Sequence, residues 1–323
     1  MPRERIERDF ASYFYQYFRY YFNSPVRLKQ YYQFCKHVFD TTQAKNKNVL
    51  DVGCGFGLIS VHLASFGAKT VSAIDANEEK IAVFQKILSR LSPTPDNIKV
   101  KLGDALDLEY EDNCFDVVVV NEVLSHVREP DSLIHGIHRV LQPGGILYLK
   151  DGNNDLDIAG KYRRQRFWSR REYGPVDESS IRGTEKPIPW LQVRREIIRG
   201  NYPHLDTKTL NLLAKDTAGM YGNEIDNAVK DYLQEGSIVD KPAFKYRDPV
   251  TGEYNEAEFS PYQLKKELEN NGFSAVVIRP FFPIRPLLSA KDILANIAIC
   301  GIRMGHPISM IVSPHFEILA QKQ

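Results

Sequence analysis

Apolar residues recur along this chain with two alternating periods. Short segments at 49–52, 70–74, 98–102, 117–120 and 146–149, rich in Val, Ile and Leu, have the length of strands. Between them, positions spaced by three and four predict helices: Leu58, Ile59, Val61 and Leu63, then Ile81, Phe84, Ile87 and Leu88, then Ile137, Val140 and Leu141. Strand and helix in alternation predict an α/β fold wound around a parallel sheet. The consecutive valines 117–120 predict a strand covered on both faces, at the middle of that sheet. A helix at 261–271, stopped by Asn271-Gly272, leads to a further strand at 274–279, and 310–320 reads as the last strand.

Two stretches depart from the alternation. Residues 1–47 are dense in aromatics, and Phe10, Phe14, Tyr17 and Tyr21 recur at helical spacing before Pro25 breaks the run; a second helix follows at 26–41. Two readings stand together here: helices packed on the core, and a lid whose rings, Tyr17 and Tyr21 among them, close over a cofactor and its substrate. The other departure follows residue 154. The next strand begins 120 residues later, too far for one crossover helix, with helical patches at 190–199, 207–215 and 223–234 in between. The expected organisation is therefore an N-terminal helical lid at 1–47, a core at 48–154, an inserted substrate-recognition subdomain at 155–259, and completion of the sheet at 260–323.

A chain of 323 residues has ample length for such a core, and a net charge of +1 argues against a general nucleic-acid binder. Cys35, Cys54, Cys114 and Cys300 show no metal-ligand spacing, and a reduced, cytoplasmic protein is expected. The start, MPRERIERDF, has no apolar signal-peptide core, and no apolar run is long enough to predict a membrane span. The apolar stretch at 293–302 is expected to pack inside rather than lean on a membrane.

The chemistry concentrates at 48–60, NVLDVGCGFGLIS. A strand, a glycine turn and a helix start form the first unit of a nucleotide-binding sheet, where glycine lets the backbone turn sharply and approach a ligand. A dinucleotide fingerprint wants a small residue where Leu58 stands, and a P-loop wants Gly-Lys-Ser/Thr, which is missing. The stretch instead has Asp51 two residues before the first of three alternate glycines, Gly53, Gly55 and Gly57. This arrangement resembles the first motif of the class I S-adenosylmethionine (SAM)-dependent methyltransferases. Downstream, Asp75 at the tip of the second strand, Gly103-Asp104-Ala105 after the third, and Pro143-Gly144-Gly145 before the fifth are similar to that family's landmarks, in its order.

The resemblance implies a doubly wound, seven-stranded, mostly parallel sheet whose last strand inserts antiparallel, with SAM as cofactor. It implies that Asp51, Gly53, Cys54, Gly55 and Gly57 line the cofactor, with Asp75 and Ala76 at the ribose, Asp104 and Ala105 at the adenine, and Asn121 near the transferable methyl. His126, just beyond strand four, is the candidate general base, because an imidazole exchanges protons near working pH. Glu122 and Asn121 hold cofactor, loop or substrate. Asp151, Asn153 and Asn154 are similar to strand-five ligands of metal-dependent O-methyltransferases, but Asn121 stands where those enzymes have aspartate, and no metal is expected.

The run Lys161 to Arg171 interleaves arginines with Tyr162, Phe167 and Trp168. Arginine forks beside flat rings suit an anionic, ring-bearing substrate, with Arg163 and Arg166 as the ligands. Arg194, Arg195 and Arg199 either extend that patch or lie on the surface. The expected function is methyl transfer to oxygen or nitrogen of a small-molecule or sugar- or nucleotide-linked acceptor, with no role on DNA. The alternatives are an RNA methyltransferase using the basic cluster, and a non-catalytic SAM- or nucleotide-binding regulator.

Overall fold

The structure is a computed structural model in which residues 12–127, 129–152, 154–176, 188–238, 246–250, 252, 257–282, 293–294, 297–299 and 308–323 are described. Chain order is α1 (Ser12–Phe22), α2 (Pro25–Thr42), β1 (Asn48–Val52), α3 (Leu58–Phe66), β2 (Thr70–Asp75), α4 (Glu78–Leu88), β3 (Ile98–Leu102), β4 (Phe115–Asn121), α5 (Pro130–Val140) and β5 (Leu141–Asp151). After these come α6 (Ile158–Tyr173), α7 (Trp190–Asn201), α8 (Thr207–Asp216), α9 (Asn223–Glu235), α10 (Pro261–Asn270), β6 (Phe273–Phe281) and β7 (His315–Lys322). The seven strands form one sheet in the order β3-β2-β1-β4-β5-β7-β6. All neighbours are parallel except β7, which runs antiparallel to both β5 and β6.

Alternation along β4 shows why the sheet is covered twice. Val118 and Val120 join Leu50, Val52 and Leu147 in one core, closed by α5 and α10 through Leu133, Ile137, Leu264 and Leu268. Val117 and Val119 face the other way, into a core with Val49, Val71 and Tyr148, closed by α2 and α3 through Val38, Phe39, Ile59 and Leu63. All four valines are 0–1% exposed, so each is worth about 1.5–3 kcal/mol in burial. Side chains also set the helix starts. The Ser24 hydroxyl caps α2 by accepting from Arg27 N–H, with Pro25 in the first turn, and Asn77 caps α4 by accepting from Lys80 N–H.

Three expectations need correction. β5 starts at Leu141, upstream of Pro143-Gly144-Gly145: Leu141 pairs with Phe115, the register shifts, and pairing resumes at Ile146 with Val117. Residues 310–320 are not one strand. Ile308–Val312 is a 3₁₀ turn and β7 begins at His315, just after Pro314, which has no N–H for a ladder. Asn154 pins this turn, donating from its amide to Met310 O at 2.7 Å and Ser313 O at 2.8 Å. Ile293, Leu294 and Ile297 are exposed rather than packed inside; the rest of that stretch lies largely outside the described residues.

The chain divides into two compact units, one of 1–158 with 258–323 and the other of 159–257. In the first unit the chain leaves and returns at one place, where Asn154 bridges Phe259 and Asp155 N–H donates to Phe259 O. The second unit has a core of its own, Ile198, Leu210, Leu213, Met220, Ile225 and Val229, from α7, α8 and α9. Arg194 belongs to this interior, neither extending a patch nor lying on the surface: it is 0% exposed, forks onto Glu172 of α6, and donates from Nε to Ala214 O at 2.8 Å. Its neighbour Arg171 lies with its guanidinium 4.9 Å from the Trp190 ring. The basic run of α6 therefore divides, with Arg171 buried and Arg163 and Arg166 exposed.

Candidate functional site

In a parallel sheet the loops after each strand gather at one edge, where ligands of open α/β folds bind. The order β3-β2-β1-β4-β5 places along that edge, in sequence, Asp104, Asp75, the glycine loop, Asn121 and Asp151.

The loop after β1 is built from left-handed residues, with φ of +68° at Gly53, +56° at Gly55 and +73° at Gly57. A Cβ at Gly53 would lie 2.3 Å from Val123, and one at Gly57 would lie 2.1 Å from the Phe84 ring. One at Gly55 would meet nothing within 4 Å, so the middle of the loop faces open space. Cys54 anchors the loop through its N–H to Ile74 O at 2.8 Å. Burial pushes its thiol far up, keeping it neutral and unreactive.

Asp75 ties the first two turns together. Its Oδ2 accepts from Gly55 N–H at 2.8 Å and its Oδ1 from Asn77 N–H at 2.9 Å, while the next residue, Ala76, is exposed. Each carboxylate oxygen retains lone-pair capacity beyond these bonds. Asp51 is different in kind. It is 1% exposed, beneath the loop, where Ser60 Oγ donates to it at 2.5 Å, and burial pushes its carboxyl up to about 7.

Asp104 is exposed and accepts from Leu106 N–H at 2.9 Å, a local turn that leaves its other oxygen open; Ala105 packs against the core beside it. Asn121 ends β4 with its Oδ1 buried and without a hydrogen-bond partner among the described residues. His126 is exposed on the 3₁₀ turn Leu124–His126. In the same turn Ser125 N–H donates to Asp151 Oδ2 at 3.0 Å. Burial first, and the neighbouring Glu122 charge second, push the Asp151 carboxyl up to about 8.

On α1, Tyr17 reaches the loop edge-on to Phe56 with ring centroids 5.1 Å apart, and Phe14 meets the same ring at 4.9 Å. Tyr21 packs behind, its ring tilted 4.6 Å from Tyr17 and edge-on 5.2 Å from Tyr31. Arg163 and Arg166 lie in the other compact unit, exposed on α6. Of the strand-five trio, Asn154 is spent on the turn described above and Asn153 lies outside the described residues. Among the described residues no group of three His, Cys, Asp or Glu side chains is placed to hold a metal ion. No described helix is long and apolar enough to cross a membrane.

One cluster at this edge has no sequence signal. Glu122 follows β4 with φ +55° and accepts from Gly152 N–H at 3.0 Å and from the Lys150 ammonium. His315 stands beside it, with Nδ1 3.3 Å from Glu122 Oε1. Glu122 meets Lys150 and Gly152 because β4 and β5 are parallel neighbours, and His315 joins them because β7 inserts antiparallel beside β5.

Residues 43–179 match a family model described as "Methyltransferase domain". Norajmaline N-methyltransferase of Rauvolfia serpentina is 32% identical over 126 residues, covering 39% of this chain and 43% of the relative. A ubiquinone biosynthesis O-methyltransferase of Pseudomonas syringae is 40% identical over 110 residues, 34% of this chain and 46% of the relative. The chain thus spans less than half the length of either relative. Among solved structures, a SAM-dependent methyltransferase of Methanosarcina mazei is similar at 20% identity and TM-score 0.46, covering 88% of this chain and 96% of that one.

Proposed function

We propose, from the match of residues 43–179 to a methyltransferase-domain model, that the protein is a SAM-dependent methyltransferase that methylates an oxygen or nitrogen of a small-molecule or sugar- or nucleotide-linked acceptor. SAM is the cofactor of this family. The observation that carries the reading is the Asp75 carboxylate, fixed by Gly55 and Asn77 N–H groups at the mouth of a left-handed loop whose centre faces open space. That combination fits an adenosyl ligand. Asp75 has acceptor capacity left for ribose hydroxyls, beside Ala76, and the backbone of Gly53, Cys54, Gly55 and Gly57 leaves room for close approach. Asp51 acts from below, holding the loop through Ser60.

The open oxygen of Asp104 suits an adenine amino group, with Ala105 along the ring, and the buried Asn121 Oδ1 awaits a donor. Bound SAM supplies an electrophilic methyl and leaves as S-adenosylhomocysteine. The residues of the chain contribute position and water exclusion, and at the acceptor they provide for the proton that an attacking hydroxyl or amine must lose. Tyr17 and Tyr21 are the lid aromatics, whose ring faces attract a sulfonium. Arg163 and Arg166 are the proposed ligands of an anionic acceptor group.

The two curated relatives are named for N-methylation of norajmaline and O-methylation in ubiquinone biosynthesis, which supports a small acceptor and leaves its atom open. The test is SAM turnover in the presence of the small-molecule fraction of a cell extract. Formation of S-adenosylhomocysteine above the acceptor-free rate, and tracking with a methylated product, is expected. No turnover with any fraction, despite SAM binding, would favour a non-catalytic SAM-binding regulator instead. A second reading comes from α6, where Arg163, Arg166 and Arg170 are exposed together with Tyr162 and Phe167. That surface suits single-stranded RNA, and RNA binding that weakens steeply with salt would favour it.

A further inference from the structure

β7 runs antiparallel beside β5, so its first residue, His315, sits at the edge of the sheet where β4 and β5 end. Glu122 reaches it from the end of β4 in a left-handed conformation that costs a non-glycine residue about 1–2 kcal/mol. Three contacts hold that conformation: the Lys150 ammonium on Oε1, Gly152 N–H on Oε2 at 3.0 Å, and Glu122 N–H to Lys150 O at 2.8 Å. Lys150 itself is buried, its ammonium 4.9 Å from the Phe281 ring and 5.6 Å from Phe34. Burial alone would raise the Glu122 carboxyl, but Lys150, and then His315, hold it well below the usual carboxylate range. A carboxylate paired with the Lys150 ammonium therefore faces one nitrogen of an imidazole.

Nδ1 of His315 lies 3.3 Å from Glu122 Oε1, within ion-pair range though without hydrogen-bond alignment, and its side chain is 39% exposed. A small ring rotation makes Nδ1–H the donor to Glu122 and leaves Nε2 as the basic nitrogen. A base oriented by a third group is the usual construction for moving a proton from a nucleophile. The remaining charged groups nearby are accounted for. Asp151 is bonded to Ser125 N–H, and Glu317, two residues along β7, is held by His37 at 2.7 Å and the Tyr148 hydroxyl at 3.1 Å.

We propose that His315, oriented by Glu122, is the proton acceptor of the methyl transfer, in place of the exposed His126. This rests on the methyltransferase reading above. As the acceptor's oxygen or nitrogen bonds to the methyl carbon, the carbon–sulfur bond breaks with its electron pair going to sulfur. The O–H or N–H proton passes to His315 Nε2, and from there to solvent. The acceptor class is accordingly one that carries both a lone pair and a proton on its attacking atom, such as a hydroxyl or a neutral primary or secondary amine, and not a tertiary amine or a thioether.

The experiment combines ¹⁵N NMR of the His315 ring with assays of His315→Gln, Glu122→Gln and His126→Gln. The wild-type ring is expected to be in the Nδ1–H form at neutral pH, and Glu122→Gln to shift it toward a tautomer mixture. His315→Gln should lower turnover driven by the small-molecule extract fraction on the order of 100-fold, while SAM affinity by calorimetry stays within about twofold. An Nε2–H ring in the wild type, or full turnover in His315→Gln with loss in His126→Gln, overturns the proposal. Failure of the wild type to bind SAM would sink the underlying methyltransferase reading instead, and the calorimetry detects that separately.

Discussion

A Cβ at Gly57 would sit 2.1 Å from the Phe84 ring, whereas one at Gly55 meets nothing within 4 Å. Gly57→Ala should therefore destabilise the protein by about 1–3 kcal/mol through overpacking, with left-handed strain added. Gly55→Val should retain a cooperative thermal transition yet lose SAM binding, because its branched side chain fills the space over the loop. Melting curves beside SAM titrations separate the two, and unaltered SAM affinity in Gly55→Val would refute the loop's role. Asp51 gives a pH signature. Its folded carboxyl, raised by burial to about 7, lies above the ordinary value of about 3.9, so the native state binds more protons between those values. The associated stability is fully present below about pH 4 and is lost as pH rises through 7. Asp51→Asn should flatten the fall in unfolding free energy between pH 5 and pH 8, and an unchanged slope in urea titrations would contradict the assignment. At this scale the sequence showed the glycines and Asp75, because their spacing is local. It could not show that Asp51 turns inward to Ser60, which depends on which side of β1 the core lies.

α1 touches the loop through Phe14 and Tyr17, both edge-on to the buried Phe56. Phe56→Ala removes both contacts and leaves a cavity, at a cost of about 3–5 kcal/mol. Amide exchange should then rise in α1 more than in α2, whose own contacts run through Tyr31, Val38 and Phe39 to the sheet; equal protection in α1 before and after would show that Phe56 does not anchor it. In the second unit, Arg194→Ala leaves Glu172 charged and buried, which costs about 3–5 kcal/mol. Exchange should rise across α6, α7 and α8, and replacing both partners by Met and Leu should restore much of the protection. The strands and most helices were legible from period alone. Composition does not reveal that Arg171 of the basic run is buried while Arg163 and Arg166 are exposed, nor that Arg194 meets the buried Glu172. The end of the chain was misread, since an apolar run at 310–320 looks like a strand until Pro314 and the Asn154 bonds make it a turn.

For the whole molecule, the crossovers of a parallel sheet bring residues from β1, β2, β3 and β4 to one edge, and a single antiparallel strand adds His315 from near the end of the chain. The local motifs were legible as a set because each lies at a strand end and their order is linear. The Glu122–Lys150–His315 cluster was not, because it needs both the β4–β5 pairing and the insertion of β7. The central claim is that this edge binds SAM through Asp75 and the glycine loop, and calorimetric titration of SAM into the wild type and Asp75→Ala tests it most directly. Binding by the wild type, weakened by about 1–3 kcal/mol in Asp75→Ala with the melting transition retained, is the predicted result. Equal affinity in the two proteins, or no binding by the wild type, would contradict it.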